Sequence, residues 1–61
     1  MTTYIFDVSF GCIGISALTE EEARVKGKAL GVSDNSILAE ALEQTDPLYD
    51  EIIKCYACKV Y

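Results

Sequence analysis

The fold is decided by the stretch Tyr4-Ile5-Phe6-Asp7-Val8-Ser9-Phe10. In an extended chain, alternate positions share a face, and the apolar face here carries Tyr4, Phe6, Val8 and Phe10. Asp7 and Ser9 fall on the other face, which we expect to be solvated. Residues 13–17 alternate again after Gly11. This pattern predicts a tight reversal near Gly11 into a second strand, with a β-bulge as the alternative.

A helix is predicted to begin at Thr19-Glu20-Glu21-Glu22, which has the capping-box pattern. Three acids in the first turn interact favourably with the helix dipole. Glu20 with Arg24 and Glu22 with Lys26 are favourable i,i+4 pairs. The apolar side of the helix is predicted to consist of Ala23, Gly27 and Leu30. Gly31 is the expected left-handed terminator.

A second helix is predicted after a cap at Ser33 or Asp34. Its inward positions would be Ile37, Leu38, Ala41 and Leu42, with Glu40, Glu43 and Gln44 facing outward. Pro47 either ends this helix or starts one further turn over residues 48–52. Residues 52–61 are predicted to add a third strand. The predicted fold is α+β, with a three-stranded antiparallel sheet, two helices on one face and the order β-β-α-α-β.

The length of 61 residues indicates a single domain spanning residues 1–61, and a 51% hydrophobic composition is sufficient for a core. No apolar run approaches the roughly 20 residues that a transmembrane helix needs. The start Met-Thr-Thr-Tyr lacks the basic region of a secretory signal. We therefore expect a cytoplasmic protein that does not bind membranes.

The three cysteines, Cys12, Cys55 and Cys58, are interpreted as small buried hydrophobic residues of a cytosolic protein, without a disulfide. Cys55 and Cys58 match the C-x-x-C pattern, but a strand would point these side chains to opposite faces. A zinc site needs four ligands, and the chain has three cysteines and no histidine. We expect no metal and no cofactor.

Catalysis is not expected. Without histidine, neither a Ser-His-Asp nor a Cys-His arrangement is possible. Asp7 is the one carboxylate in a strongly apolar run, but its alternating position predicts a solvated face. The segment Gly11-Cys12-Ile13-Gly14 lacks the lysine and the length of a phosphate-binding loop.

Ten carboxylates against five cations give a net charge of −5, which argues against direct binding of nucleic acid. The carboxylates form two clusters along the chain, one at the start of the first helix and one in the second helix and its exit. The predicted partner-binding residues are Glu20, Glu21, Glu22, Glu40, Glu43, Asp46, Asp50 and Glu51. If the fold brings the clusters together, they could occupy a basic nucleic-acid-binding groove of another protein. The alternative is that the acids serve only solubility and helix capping.

The chain resembles the small acidic anti-CRISPR proteins encoded by phages and other mobile elements. The features that carry the resemblance are the opening strand Thr3-Tyr4-Ile5-Phe6-Asp7-Val8, the helix start Thr19-Glu20-Glu21-Glu22 and the acid-rich second half. Such proteins share no sequence motif or fold, so no functional residue is carried over. The resemblance implies an inhibitor in the bacterial host cell that competes with DNA for a CRISPR effector, for example a type I surveillance complex.

A second hypothesis is an interaction module that binds a protein partner through an apolar surface. Its candidate anchors are Tyr4, Tyr49, Tyr56 and Tyr61. A monomer is expected, because the net negative charge repels like copies. The alternative is that an exposed edge of the third strand pairs with a second copy.

Overall fold

The computed structural model describes all 61 residues. It contains four strands and two helices, an α+β architecture. In chain order the elements are β1 (Thr2–Val8), β2 (Gly11–Ala17), α1 (Glu20–Ala29), β3 (Ile37–Glu43), α2 (Tyr49–Tyr56) and β4 (Lys59–Val60). The predicted fold class is confirmed, although the sheet has four strands rather than three.

The sheet is mixed, with the strand order β3-β1-β2-β4. β1 pairs antiparallel with both β2 and β3, whereas β4 runs parallel to β2. Val8 lies opposite Gly11 in the hairpin, and Gly11 has a φ of +130°, so the predicted reversal at this glycine is confirmed. Phe10 lies in the turn and is 76% exposed, so its assignment to the apolar face was wrong. The strand ends at Val8, two residues before it.

Helix α1 covers one face of the sheet. Its start is capped as predicted, because the Thr19 hydroxyl accepts a hydrogen bond from the Glu22 N–H at 3.1 Å. Ala23 and Gly27 are buried as expected, against a core of β1 and β2 side chains: Phe6, Ile13, Ile15 and Ala17. Leu30 is 43% exposed, so its predicted inward position was wrong. It occupies the C-cap, where the chain is already leaving the helix.

Helix α2 covers the opposite face. Thr3 and Ile5 lie on the opposite face of β1 from Phe6, because successive side chains of a strand alternate between faces, and both are fully buried. The Thr3 and Tyr49 hydroxyls share a hydrogen bond of 2.8 Å, and the Gln44 amide donates to Thr3 at 3.2 Å. The helices therefore lie on opposite faces of the sheet, and the prediction of helices on one face was wrong. Two buried faces require two covering layers.

The predicted second helix is strand β3. Leu38 and Leu42 are four residues apart, a spacing that favours a helix, but an irregularity in the β1–β3 register breaks the alternation of the strand. Leu38 therefore packs with the core on the α1 side, while Leu42 pairs with Thr3 on the α2 side. Without β3, the backbone N–H and C=O groups along the second edge of the buried strand β1 would be unpaired. Pairing these groups outweighs the local helix propensity of residues 37–43.

Of the two alternatives at Pro47, the further helical turn is the one that the structure shows, because the residues before Pro47 form β3 and no helix ends there. A helix does follow Pro47, but it extends to Tyr56 rather than ending near Ile52. Ala57 then reverses the chain with a φ of 53°. The predicted terminal strand exists only as Lys59–Val60, and it is parallel rather than antiparallel to its neighbour. Neither helix has the length and apolar composition needed to cross a membrane.

Candidate functional site

Both helices begin at the same end of the sheet. Thr2 of β1 lies between Ala17, where β2 ends, and Glu43, where β3 ends. Helix α1 starts three residues after Ala17, and Tyr49, the first residue of α2, contacts the neighbouring Thr3. We call this region the acidic end, because it collects seven of the predicted site residues: Glu20, Glu21, Glu22, Glu43, Asp46, Asp50 and Glu51. The fold thus places acids of both clusters at the same end of the sheet, on layers that cover opposite faces.

Ion pairs neutralise two carboxylates at the acidic end. Arg24 Nε is 3.1 Å from Glu20 Oε2, and Lys26 Nζ is 3.6 Å from Glu22 Oε1, which confirms both predicted i,i+4 pairs. The third ion pair, between Lys28 and Asp34, lies elsewhere. The remaining carboxylates of the acidic end form no ion pair: Glu21, Glu43, Asp46, Asp50 and Glu51.

Two of these unpaired carboxylates accept local hydrogen bonds. Asp46 Oδ1 accepts from the Leu48 N–H at 2.8 Å, and Glu43 accepts from the Thr2 hydroxyl. A carboxylate that accepts one such bond keeps lone pairs for a cationic partner. The acidic end therefore presents accessible negative charge.

Glu40 is the predicted site residue that lies outside the acidic end. It is half-buried in the middle of β3, and its Oε2 accepts a hydrogen bond from the Tyr56 hydroxyl at 3.3 Å. Partial desolvation and the Glu40 carboxylate raise the pKa of Tyr56 above its ordinary value. Glu40 is thus engaged by Tyr56 and is less available than the other acids for contact with a partner protein.

An apolar groove of about 500 Å³ lies where both helices end. Its walls come from the β1–β2 turn, the C-termini of the helices and β4, and include Phe10, Leu30, Tyr56 and Tyr61. Sequence reasoning missed Phe10 and Leu30 as surface residues, because it assigned both to the core. Of the four tyrosines proposed as anchors, only Tyr56 and Tyr61 line this groove. Tyr4 packs on the core and Tyr49 is held by Thr3.

The cysteines are free thiols, and the C-x-x-C pair is split between two elements. Cys55 is exposed on α2, whereas Cys58 lies beyond the left-handed Ala57. Cys12 and Cys58 are half-buried, so the prediction of packed cysteines holds for these two and fails for Cys55. No group of three or more Cys, Asp or Glu side chains is arranged to hold a metal ion.

No protein-family model, curated protein or solved structure matches this chain.

Proposed function

We propose that this chain is a non-enzymatic inhibitor whose acidic end occupies a basic nucleic-acid-binding surface on a protein partner. The partner that we propose is a type I CRISPR surveillance complex in the cytoplasm of a bacterial host, with the protein acting as a DNA mimic and without a cofactor. The observation that supports this proposal is the gathering of five carboxylates without ion pairs at one end of the sheet.

Helix dipoles do not cancel this charge. Each helix N-terminus contributes about +0.5 of an elementary charge, so two of them offset roughly one of the five unpaired carboxylates. Of the five side-chain cations, Arg24, Lys26 and Lys28 form ion pairs, Lys59 lies over the Tyr61 ring, and Lys54 lies in the last turn of α2, away from the acidic end. The acidic end therefore presents a field that attracts a basic surface.

The dimensions of the protein suit part of a DNA channel. The longest axis is 29 Å, which corresponds to about eight base pairs at 3.4 Å per step. A body of this size can block access of a duplex to one segment of a basic channel. It cannot replace a complete target.

The competing explanation is that the acids only stabilise helix N-termini and keep the protein soluble. Asp50 and Glu51 lie in the first turn of α2, where carboxylates are favourable. Under this explanation, reversing their charge lowers stability slightly and leaves association with any partner unchanged.

The charge-reversal experiment separates these explanations. A fluorescent target duplex is bound to a reconstituted surveillance complex, and its displacement by the protein is titrated. We expect the double variant Asp50→Lys/Glu51→Lys to weaken displacement by at least about tenfold, because close charge pairs across interfaces contribute about 1.5 kcal/mol or more. Salt should weaken the wild type in the same assay, since the screening length falls from about 10 Å at 0.1 M to about 3 Å at 1 M.

A matched control keeps the same net charge. Asp7→Lys/Asp34→Lys also moves the formal charge from −5 to −1, since two reversals add four units. Both of its sites lie outside the acidic end. Glu40→Lys then reports whether the contact extends along β3. Equal effects of the two double variants, or no displacement by the wild type, would contradict the proposal.

The apolar groove favours a second candidate function, an interaction module that binds through Phe10 and Tyr61. Phe10 is 76% and Tyr61 51% exposed, although both are large and apolar in character. If the groove makes the contact, Phe10→Ala/Tyr61→Ala should reduce affinity by about thirtyfold or more, the loss of at least 2 kcal/mol typical of anchor residues. The displacement assay checks this directly. Salt-insensitive binding that survives Asp50→Lys/Glu51→Lys would identify the groove, and unchanged binding of the groove variant would exclude it.

A further inference from the structure

Cys12 and Cys58 lie side by side, although they come from opposite ends of the chain. In the parallel pairing of β2 and β4, Ile13 is opposite Lys59 and Gly14 is opposite Val60. One step back along both strands places Cys12 opposite Cys58. Neighbouring strands are about 4.8 Å apart, which falls within the range of about 4.4–6.8 Å between the Cα atoms of a disulfide.

The two thiols are neighbours as well. Desolvation raises the pKa of Cys58 to about 11, and the adjacent Cys12 thiol adds to this shift. Cys12 Sγ also donates to the Tyr56 carbonyl at 2.9 Å, which holds it beneath the end of α2. Cys55 is exposed on that helix and takes no part in this contact.

We infer that Cys12 and Cys58 are a redox modification site, which a low-molecular-weight disulfide such as oxidised glutathione converts into an internal disulfide. One protein thiol loses its proton and attacks a sulfur of the oxidant, which forms a mixed disulfide and releases one glutathione thiolate. The second protein thiol then loses its proton, attacks the mixed disulfide and releases the second thiolate. Two protein thiols are oxidised, one glutathione disulfide is reduced, and the two protons end on the released thiols.

The bond would fix the shape of the apolar groove. Cys12 belongs to β2, and Cys58 lies between α2 and β4, so the disulfide ties the last two elements to the sheet. Tyr56, Ala57 and Lys59 line the groove on either side of Cys58. Oxidation therefore acts on this wall and leaves the acidic end unchanged.

The test treats the folded, reduced protein with oxidised glutathione at about pH 9, where thiolates are more populated. Remaining thiols are blocked with N-ethylmaleimide. Chymotryptic cleavage after Tyr56 separates Cys55 from Cys58, so peptide mass spectrometry identifies the linked pair. We expect a Cys12–Cys58 disulfide, and a rise in Tm on the order of 10 °C because the bond closes a long loop.

Two variants make the assignment specific. Cys55→Ser should keep both the internal disulfide and the Tm increase, whereas Cys58→Ser should lose both. Oxidation in guanidinium gives the pairing of the unfolded chain for comparison. A native product linked through Cys55, glutathione adducts without an internal bond, or no reaction would each overturn the inference.

Discussion

Phe6→Ala is expected to remove a large part of the protein's stability at 25 °C. Phe6 is fully buried at the centre of β1, and the Arg24 guanidinium lies 5.0 Å from its ring centroid. Truncating a buried Phe to Ala costs about 3–5 kcal/mol. A chain of this length has a total stability of about 3–9 kcal/mol at 0.05–0.15 kcal/mol per residue. The loss is therefore at least about a third of the total stability, and circular dichroism should show greatly reduced structure or a much lower Tm.

Phe10→Ala is the matched control, because it removes the same atoms from a residue that is largely exposed. Its free energy of unfolding should stay within about 0.5 kcal/mol of the wild type. Similar melting curves for the two variants would contradict the position of Phe6 at the centre of the core.

Gly27→Val should lower stability through overpacking. A Cβ at this position would lie 2.9 Å from Ile15 Cδ1 and 3.1 Å from Val32 Cβ. Ile15 is fully buried, and Val32 is held by a hydrogen bond from its N–H to the Gly27 carbonyl at 2.8 Å. Such overpacking costs about 1–3 kcal/mol, which corresponds to a fall in Tm of about 4–24 °C in a domain of this size.

Thermal melting of Gly27→Val beside Lys28→Val tests this expectation. Lys28 is an exposed residue of the same helix, so the new side chain meets solvent, and the lost ion pair with Asp34 is worth at most about 1 kcal/mol. If the Tm of Gly27→Val matched that of Lys28→Val, the close packing of α1 on β2 would be contradicted.

Local signals made α1 predictable from the sequence. The Thr19 cap and the acids that follow it act within the first turn, and Gly31 acts at the last turn. Gly31 has a φ of +90°, and the Gly31 and Val32 N–H groups bond to carbonyls of the last helical turn. This is the Schellman arrangement, which glycine favours.

Strand β3 could not be predicted in the same way, because its cause is non-local. Residues 37–43 become a strand by pairing with β1, far away in the sequence, and the break in register conceals the alternation. The same distance in sequence explains why the layers were misplaced. Nothing in residues 49–56 alone indicates that they cover Thr3 and Ile5.

The acidic residues were predictable as a type, but their convergence was not. It depends on β2 and β3 ending at the same end of the sheet, because a helix begins shortly after each of these strands. The contact between Cys12 and Cys58 depends likewise on β4 running parallel to β2. The C-x-x-C spacing instead directed attention to Cys55.

The shortness of β4 makes the two ends of the molecule differ in how readily they open. This strand has two residues, and two further backbone hydrogen bonds join Tyr61 to β2. The Ser16 N–H donates to the Tyr61 carbonyl, and the Tyr61 N–H donates to the Gly14 carbonyl, each at 2.8 Å. Segments held by few contacts unfold locally at a small free-energy cost while the rest of the domain stays native. The wall of the groove is therefore the first part of the fold to fray, and its amides exchange with solvent earliest. The acidic end of the sheet is formed by strands of seven residues, so its backbone pairing opens later than that of β4.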